Sequence, residues 1–128
     1  MSERKKLVAR LDQIFSKYIR LRNADHAGYV NCWTCGKTKH YTKLGAGHFQ
    51  TRAKYSTRWD KMNVKPQCKG CNMVNGGQQY MFGLNLDRVY GEGTAEEMVR
   101  RSNKTRKFSD DELHDMIRHY RQLVNKLL

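Results

Sequence analysis

The sequence predicts an α+β fold in which a small ββα core is flanked by N- and C-terminal helices, all within a single domain over residues 1–128. Three observations carry this reading. All four cysteines fall in two C-x-x-C pairs, Cys32/Cys35 and Cys68/Cys71, that bracket a polar central segment. Both ends of the chain repeat apolar residues at spacings of three and four, the period of a helix with one buried face. Between the cysteine pairs that period gives way to short runs broken by Gly, Asn and Asp, which read as strands and turns.

Two residues between the members of each cysteine pair let both thiolates reach one ion from a tight turn, and two such pairs complete a tetrahedral Zn²⁺ shell. Four ligands leave no open coordination position, so this zinc is expected to be structural. It staples a segment too short and too polar to bury a core of its own. Two disulfides are the alternative; the paired spacing, and an N-terminus without the apolar region of a signal peptide, argue against them.

Composition narrows the partners. The formal net charge is +13, from 25 Lys+Arg against 12 Asp+Glu, with a sequence pI near 9.9. Such an excess favours a polyanion, and nucleic acid is the natural candidate. A hydrophobic fraction of 38% leaves a modest core for which a metal staple is expected. No apolar run approaches the roughly 18 residues of a membrane span, so the expected location is the cytoplasm of the host cell, with no membrane partner.

Residues 1–23 form a basic amphipathic helix, with Leu7, Leu11, Ile14, Phe15, Tyr18 and Ile19 on one face. Residues 23–28 read as a turn. The stapled core then runs over 29–90. Tyr29–Asn31 is a short strand leading into the first knuckle, and 36–40 is a basic turn whose His40 is not needed as a ligand. Leu44–Gln50 is the second strand of the hairpin, carrying His48. Residues 51–61 have too little apolar content for a buried element. A helix over 72–89, open to interruption at Gly76-Gly77, offers Tyr80, Met81, Leu84 and Val89 for packing. Helices fill 94–128, with Thr94-x-x-Glu97 and Ser109-x-x-Glu112 as capping boxes. The last helix carries a complete apolar stripe from Leu113 to Leu127, which needs either the N-terminal helix or a second subunit, making a homodimer the bolder alternative.

Zinc does not need His48, Asn63 or Asn72. A neutral imidazole can take a proton from water near pH 7, and an amide oxygen is a hard ligand for Mg²⁺ or Mn²⁺. Across one cleft, His48 and Asn72 outline a phosphodiester-cleaving site, with Asn63 orienting His48 or its strand. Arg52, Lys54, Arg58, Lys61, Lys65 and Lys69 supply charge around it and are the candidate DNA contacts.

The run Cys32-x-x-Cys35, Ala46-Gly47-His48-Phe49, Arg58-Trp59-Asp60, Asn63-Val64, Pro66-Gln67-Cys68-x-x-Cys71-Asn72 resembles the phage-lambda NinG (Rap) family of recombination endonucleases. More broadly it is similar to the zinc-stapled HNH, or His-Me finger, nucleases with a treble-clef-like core. The resemblance implies a metal-dependent endonuclease acting on branched or single-stranded DNA, Holliday junctions or flaps among them. His48 would be its general base, and a catalytic Mg²⁺ or Mn²⁺ would sit beside Asn72. Many HNH nucleases carry an Asp before the histidine; here that position is Gly47. Either another acid such as Asp60 reaches the ion, or Asn72 holds it with water and phosphate. A non-catalytic zinc-knuckle DNA-binding protein is the alternative.

Overall fold

The computed structural model describes residues 1–128. Helix α1 spans Glu3–Leu21, and its N-cap is Ser2, whose hydroxyl accepts from the Lys5 N–H. Leu7, Leu11, Phe15 and Ile19, four residues apart, are all buried on one side of it. Helix α5, Asp110–Leu127, opens on the expected capping box: Ser109 Oγ accepts from the Glu112 N–H, and the Glu112 carboxylate accepts from the Ser109 N–H, both at 3.1 Å. Such a cap is worth about 1 kcal/mol.

Leu113, Ile117 and Tyr120 of α5 join the buried face of α1 in one cluster, with the Phe15 and Tyr120 rings edge to face at 4.9 Å. The C-terminal stripe therefore finds its partner in the N-terminal helix of the same chain. At about 1.5–3 kcal/mol for each large side chain buried, these two helices supply most of the apolar support for the polar middle.

Four short strands make two separate antiparallel pairs. β1 (Tyr29–Asn31) pairs with β2 (Thr38–His40), placing Val30 opposite Lys39. β3 (Gly45–His48) pairs with β4 (Val64–Gln67), placing Gly47 opposite Lys65 and His48 opposite Val64. This corrects the pairing expected from sequence, in which 36–40 was a turn and the His48 strand lay beside 29–31. The first knuckle turns back within a few residues, with the Cys32 N–H donating to the Lys37 carbonyl at 2.8 Å, so β1 closes on β2 and leaves β3 to pair ahead of the second knuckle.

Residues 51–61 also differ from expectation, because they contain the short helix α2 (Tyr55–Arg58) followed by a buried Trp59. Trp59 belongs to a core cluster that includes Val64 of β4, with Ala46 of β3 packed against it. It inserts into the α1/α5 core, and its indole N–H donates to Asp12 Oδ1 at 2.9 Å.

Beyond β4, a π-helical turn over Gly70–Val74 precedes α3 (Gln79–Tyr90). Gly76 and Gly77 interrupt the helical run between them at φ of 63° and 87°. That late start rotates a different face inward. Phe82 and Leu86 are buried against Met98, Trp33 and Phe49, whereas Tyr80, Leu84 and Val89 remain exposed. In α4 (Thr94–Ser102) the N-cap is Gly93, so the first of the two expected capping boxes does not form. Thr94 instead donates its hydroxyl to the Gly91 carbonyl, and Glu97 pairs with Arg100 and Arg101. No helix is long and apolar enough to cross a membrane.

Candidate functional site

The four cysteine Sγ atoms lie within 4.8 Å of one another, although their pairs come from opposite ends of the core. Cys35 and Cys68 are separated by 3.7 Å, close to the ~3.8 Å edge of a tetrahedron built on Zn–S bonds of about 2.3 Å. All four are free thiols rather than disulfides. Backbone N–H groups already point at the sulfurs: Cys68 donates to Cys32 Sγ at 3.3 Å and Cys71 to Cys68 Sγ at 3.5 Å.

Burial alone would push the Cys32 thiol up, but hydrogen bonds from the Cys35 and Cys68 backbones and from Thr34 hold it down at about 6. Burial pushes Cys71 the other way, up to about 12. Four crowded sulfurs cannot all ionise unaided, and a divalent cation among them removes the conflict, so the donor set fits structural zinc. His40 stays outside it, its Nδ1 within hydrogen-bond distance of Thr42 Oγ1 and its ring against Tyr29 and Tyr41.

Beside this centre is an open cleft of about 900 Å³ between α1, β3 and the second knuckle. His48 and Asn72 both line it. His48 Nε2 is 3.0 Å from the Arg58 carbonyl. A carbonyl can only accept, so Nε2 carries the proton and Nδ1 is left as the basic nitrogen. Burial lowers the His48 pKa below its ordinary value, with the Arg58 carbonyl opposing and the positive charge of Arg52 assisting. The imidazole is therefore neutral at pH 7.

Asn72 stands on the π-helical turn, where its N–H donates to the Cys68 carbonyl at 2.9 Å; the metal knuckle thus sets its position. Its side-chain amide has no protein partner, which leaves its oxygen available. Asn63 is fully buried and makes no hydrogen bond to the His48 ring. Its Oδ1 accepts from the Gln50 N–H at 2.7 Å, and its Nδ2 donates to the Gln50 and Thr57 carbonyls, both at 3.0 Å. Asn63 therefore fastens the end of β3 to α2.

The position before the histidine is closed to any side chain. A Cβ on Gly47 would lie 1.7 Å from Gln67 Oε1. Asp60 does not substitute for the missing acid, because its carboxylate accepts from Arg101 Nη1 at 3.0 Å and from the Met62 N–H at 2.9 Å, away from the cleft. The carboxylate that does line the cleft is Asp12 of α1, and both its oxygens are taken. Arg58 donates to them at 3.1 and 2.6 Å, and Trp59 at 2.9 Å. Sequence reasoning missed Asp12; the signal was a lone acid in the middle of a basic helix, next to the buried stripe. It also missed Gln79, which lines the cleft and donates from Nε2 to the His48 carbonyl at 3.2 Å.

The six candidate DNA contacts separate into three groups. Arg52 lines the cleft, and Lys54 lines a neighbouring recess. Lys61 and Lys69 are exposed outside both. Arg58 and Lys65 are corrections. The Arg58 side chain is only 12% exposed and is spent on Asp12. Lys65 is 2% exposed; its ammonium lies 4.8 Å from the Trp33 ring centre and 4.5 Å from that of Tyr90, and it donates to the Tyr90 hydroxyl. Alternation along β4 turns Lys65 inward between aromatic faces, where burial, aided by Arg22, lowers its pKa to about 7.

The family model described as Bacteriophage Lambda NinG protein matches residues 1–128. No curated protein and no solved structure matches the chain.

Proposed function

Because the chain belongs to the NinG family over residues 1–128, we propose that it is a metal-dependent DNA endonuclease of the HNH, or His-Me finger, class. Its substrates would be branched or single-stranded recombination intermediates. The observation that carries the reading is His48, held by the Arg58 carbonyl so that Nδ1 is its basic nitrogen, in the same cleft as an unpartnered Asn72.

In this mechanism His48 Nδ1 takes a proton from a water as its oxygen bonds to phosphorus, and the bond from phosphorus to the 3′ oxygen breaks. A divalent ion such as Mg²⁺ or Mn²⁺ would supply stabilisation of the negative charge on the phosphoryl and leaving oxygens. Asn72 offers the hard amide oxygen for it. With the carboxylate of Asp12 already engaged, phosphate oxygens of the DNA and water would complete its shell. Arg52, 63% exposed at the cleft edge and held only by a long 3.8 Å ion pair to Asp12 Oδ2, is within reach of a phosphate in the cleft.

The test is incubation of the zinc-loaded protein with Mg²⁺ or Mn²⁺ on four-way junction, splayed-arm, duplex and single-stranded DNA. Cleavage of a branched or single-stranded form is expected, falling roughly 10²-fold in His48→Ala with zinc content and thermal stability retained. Binding without cutting on every substrate would replace this reading with that of a non-catalytic zinc-knuckle DNA-binding protein.

A further inference from the structure

Next to the cleft is a second recess, of about 410 Å³, formed where the start of α1, the loop before α2 and the connector from α4 to α5 meet. Five cations line it and no acid does: Arg4, Lys54, Lys104, Arg106 and Lys107. Two of them are matched from outside, Arg4 by Asp110 at 3.2 Å and Arg106 by Glu112. Lys54 donates only to the neutral Asn103 side chain, at 3.0 Å. Lys104 and Lys107 have no carboxylate partner. The backbone N–H groups of Thr105, Arg106 and Lys107 are likewise not taken by any backbone acceptor.

Like charges gathered this way repel, yet the connector is tied down on both sides. Ser56 Oγ donates to the Arg101 carbonyl at 2.7 Å, and Phe108 packs edge-on against Trp59 with ring centres 5.2 Å apart. A fixed concavity of uncompensated ammonium groups and free amide donors suits a phosphate group.

The recess and the cleft share a wall. Ser102 of the recess donates to Gln50 Oε1 of the cleft at 3.0 Å. The same loop sends Arg52 into the cleft and Lys54 into the recess, and two residues of chain span at most about 7 Å. A strand with one phosphate beside His48 that leaves the cleft along the Arg52–Lys54 loop would reach the recess within a few nucleotides.

We propose that this recess is a second phosphate subsite, holding the sugar-phosphate backbone of the strand a few nucleotides from the bond that faces His48. The orientation relative to His48 rests on the nuclease reading above; the binding does not. Lys104 and Lys107 are its principal contacts, with Lys54 between subsite and cleft.

The test measures binding of a fluorescent single strand to the full zinc-loaded chain over a salt titration, for the parent, for Lys104→Ala/Lys107→Ala, and for Lys37→Ala/Lys39→Ala. The last pair removes the same charge from the exposed β1–β2 hairpin. Loss of two phosphate contacts should flatten the log–log salt dependence by about 1.4 and weaken binding roughly tenfold at moderate salt. The hairpin pair should keep the parent slope. An unchanged slope in Lys104→Ala/Lys107→Ala, or an equal change in both pairs, overturns the subsite. Cleavage on the same strands separates the two ideas: a flattened slope in a protein that never cuts keeps the subsite and removes the nuclease, whereas His48-dependent cutting with an unchanged slope does the reverse.

Discussion

Gly47 and Gln67 are packed so closely that the amide oxygen of Gln67 occupies the place of a side chain on Gly47, 1.7 Å from where its Cβ would be. Gln67 is fully buried. Its Nε2 donates to Thr34 Oγ1 at 3.1 Å and to the Gly77 carbonyl at 2.9 Å, while Oε1 has no hydrogen-bond donor. Gln67 thus ties the first knuckle to the Gly-rich turn through the space that an acid before His48 would need.

Gly47→Ala should therefore destabilise the protein by about 1–3 kcal/mol, the usual cost of overpacking. Adding Gln67→Ala should return part of that loss despite the hydrogen bonds it deletes. Denaturant unfolding of both single variants and the double variant measures the coupling; strict additivity would show that the two residues do not compete for the space.

Metal analysis should find about one zinc per chain, and Cys68→Ser should lose it and unfold, because binding energy at a closed zinc site is folding energy. Circular dichroism with and without a chelator reads the same link. A folded, zinc-free parent would remove the staple from the account.

The acid limb of the cleavage profile should fall below pH 6.5, because burial depresses the His48 pKa from that ordinary value. The sign for stability follows. As pH falls through 6.5 the unfolded chain takes up this proton before the folded one, so this histidine's contribution declines toward acid pH. Profiles of kcat/KM for the parent, with His48→Ala as the baseline, check the limb. One lying above pH 6.5 would assign the base to another group.

Lys65→Met should raise stability by about 1 kcal/mol at pH 7 and leave the salt dependence of DNA binding unchanged, since a buried ammonium is costly and does not reach DNA. The folded pKa is about 7 against an ordinary 10.5, so between those values the unfolded chain holds a proton the folded one lacks. Parent stability from this group rises with pH over that window. The gain of the variant should be fullest below about pH 7 and close as pH rises, as read by melting temperatures across the range. A flattened salt slope would instead return Lys65 to the DNA surface.

Some features were legible because their causes lie within a few residues of chain. The spacing of Leu7, Leu11, Phe15 and Ile19 encodes a helix face, Ser109 and Glu112 encode a cap, and each C-x-x-C turn holds half of a metal shell. His48 and Asn72 stood out as candidates for the same reason, each being adjacent to a local landmark. The excess of Lys and Arg is likewise a property of the sequence alone.

Only the tertiary structure decided which strand β3 would join, because four-residue strands carry too little pattern to fix a partner. It also decided which basic residues are surface. Lys65 looks like any lysine until Trp33 and Tyr90, brought from other elements, close over it, and Arg58 looks free until Asp12 of α1 takes its Nε and Nη2. Gly47 looks like a missing acid until Gln67 fills the space. Burial and pairing are set by residues distant in sequence, so no local pattern contains them; periodicity, caps and metal turns are set by neighbours, so the sequence alone does.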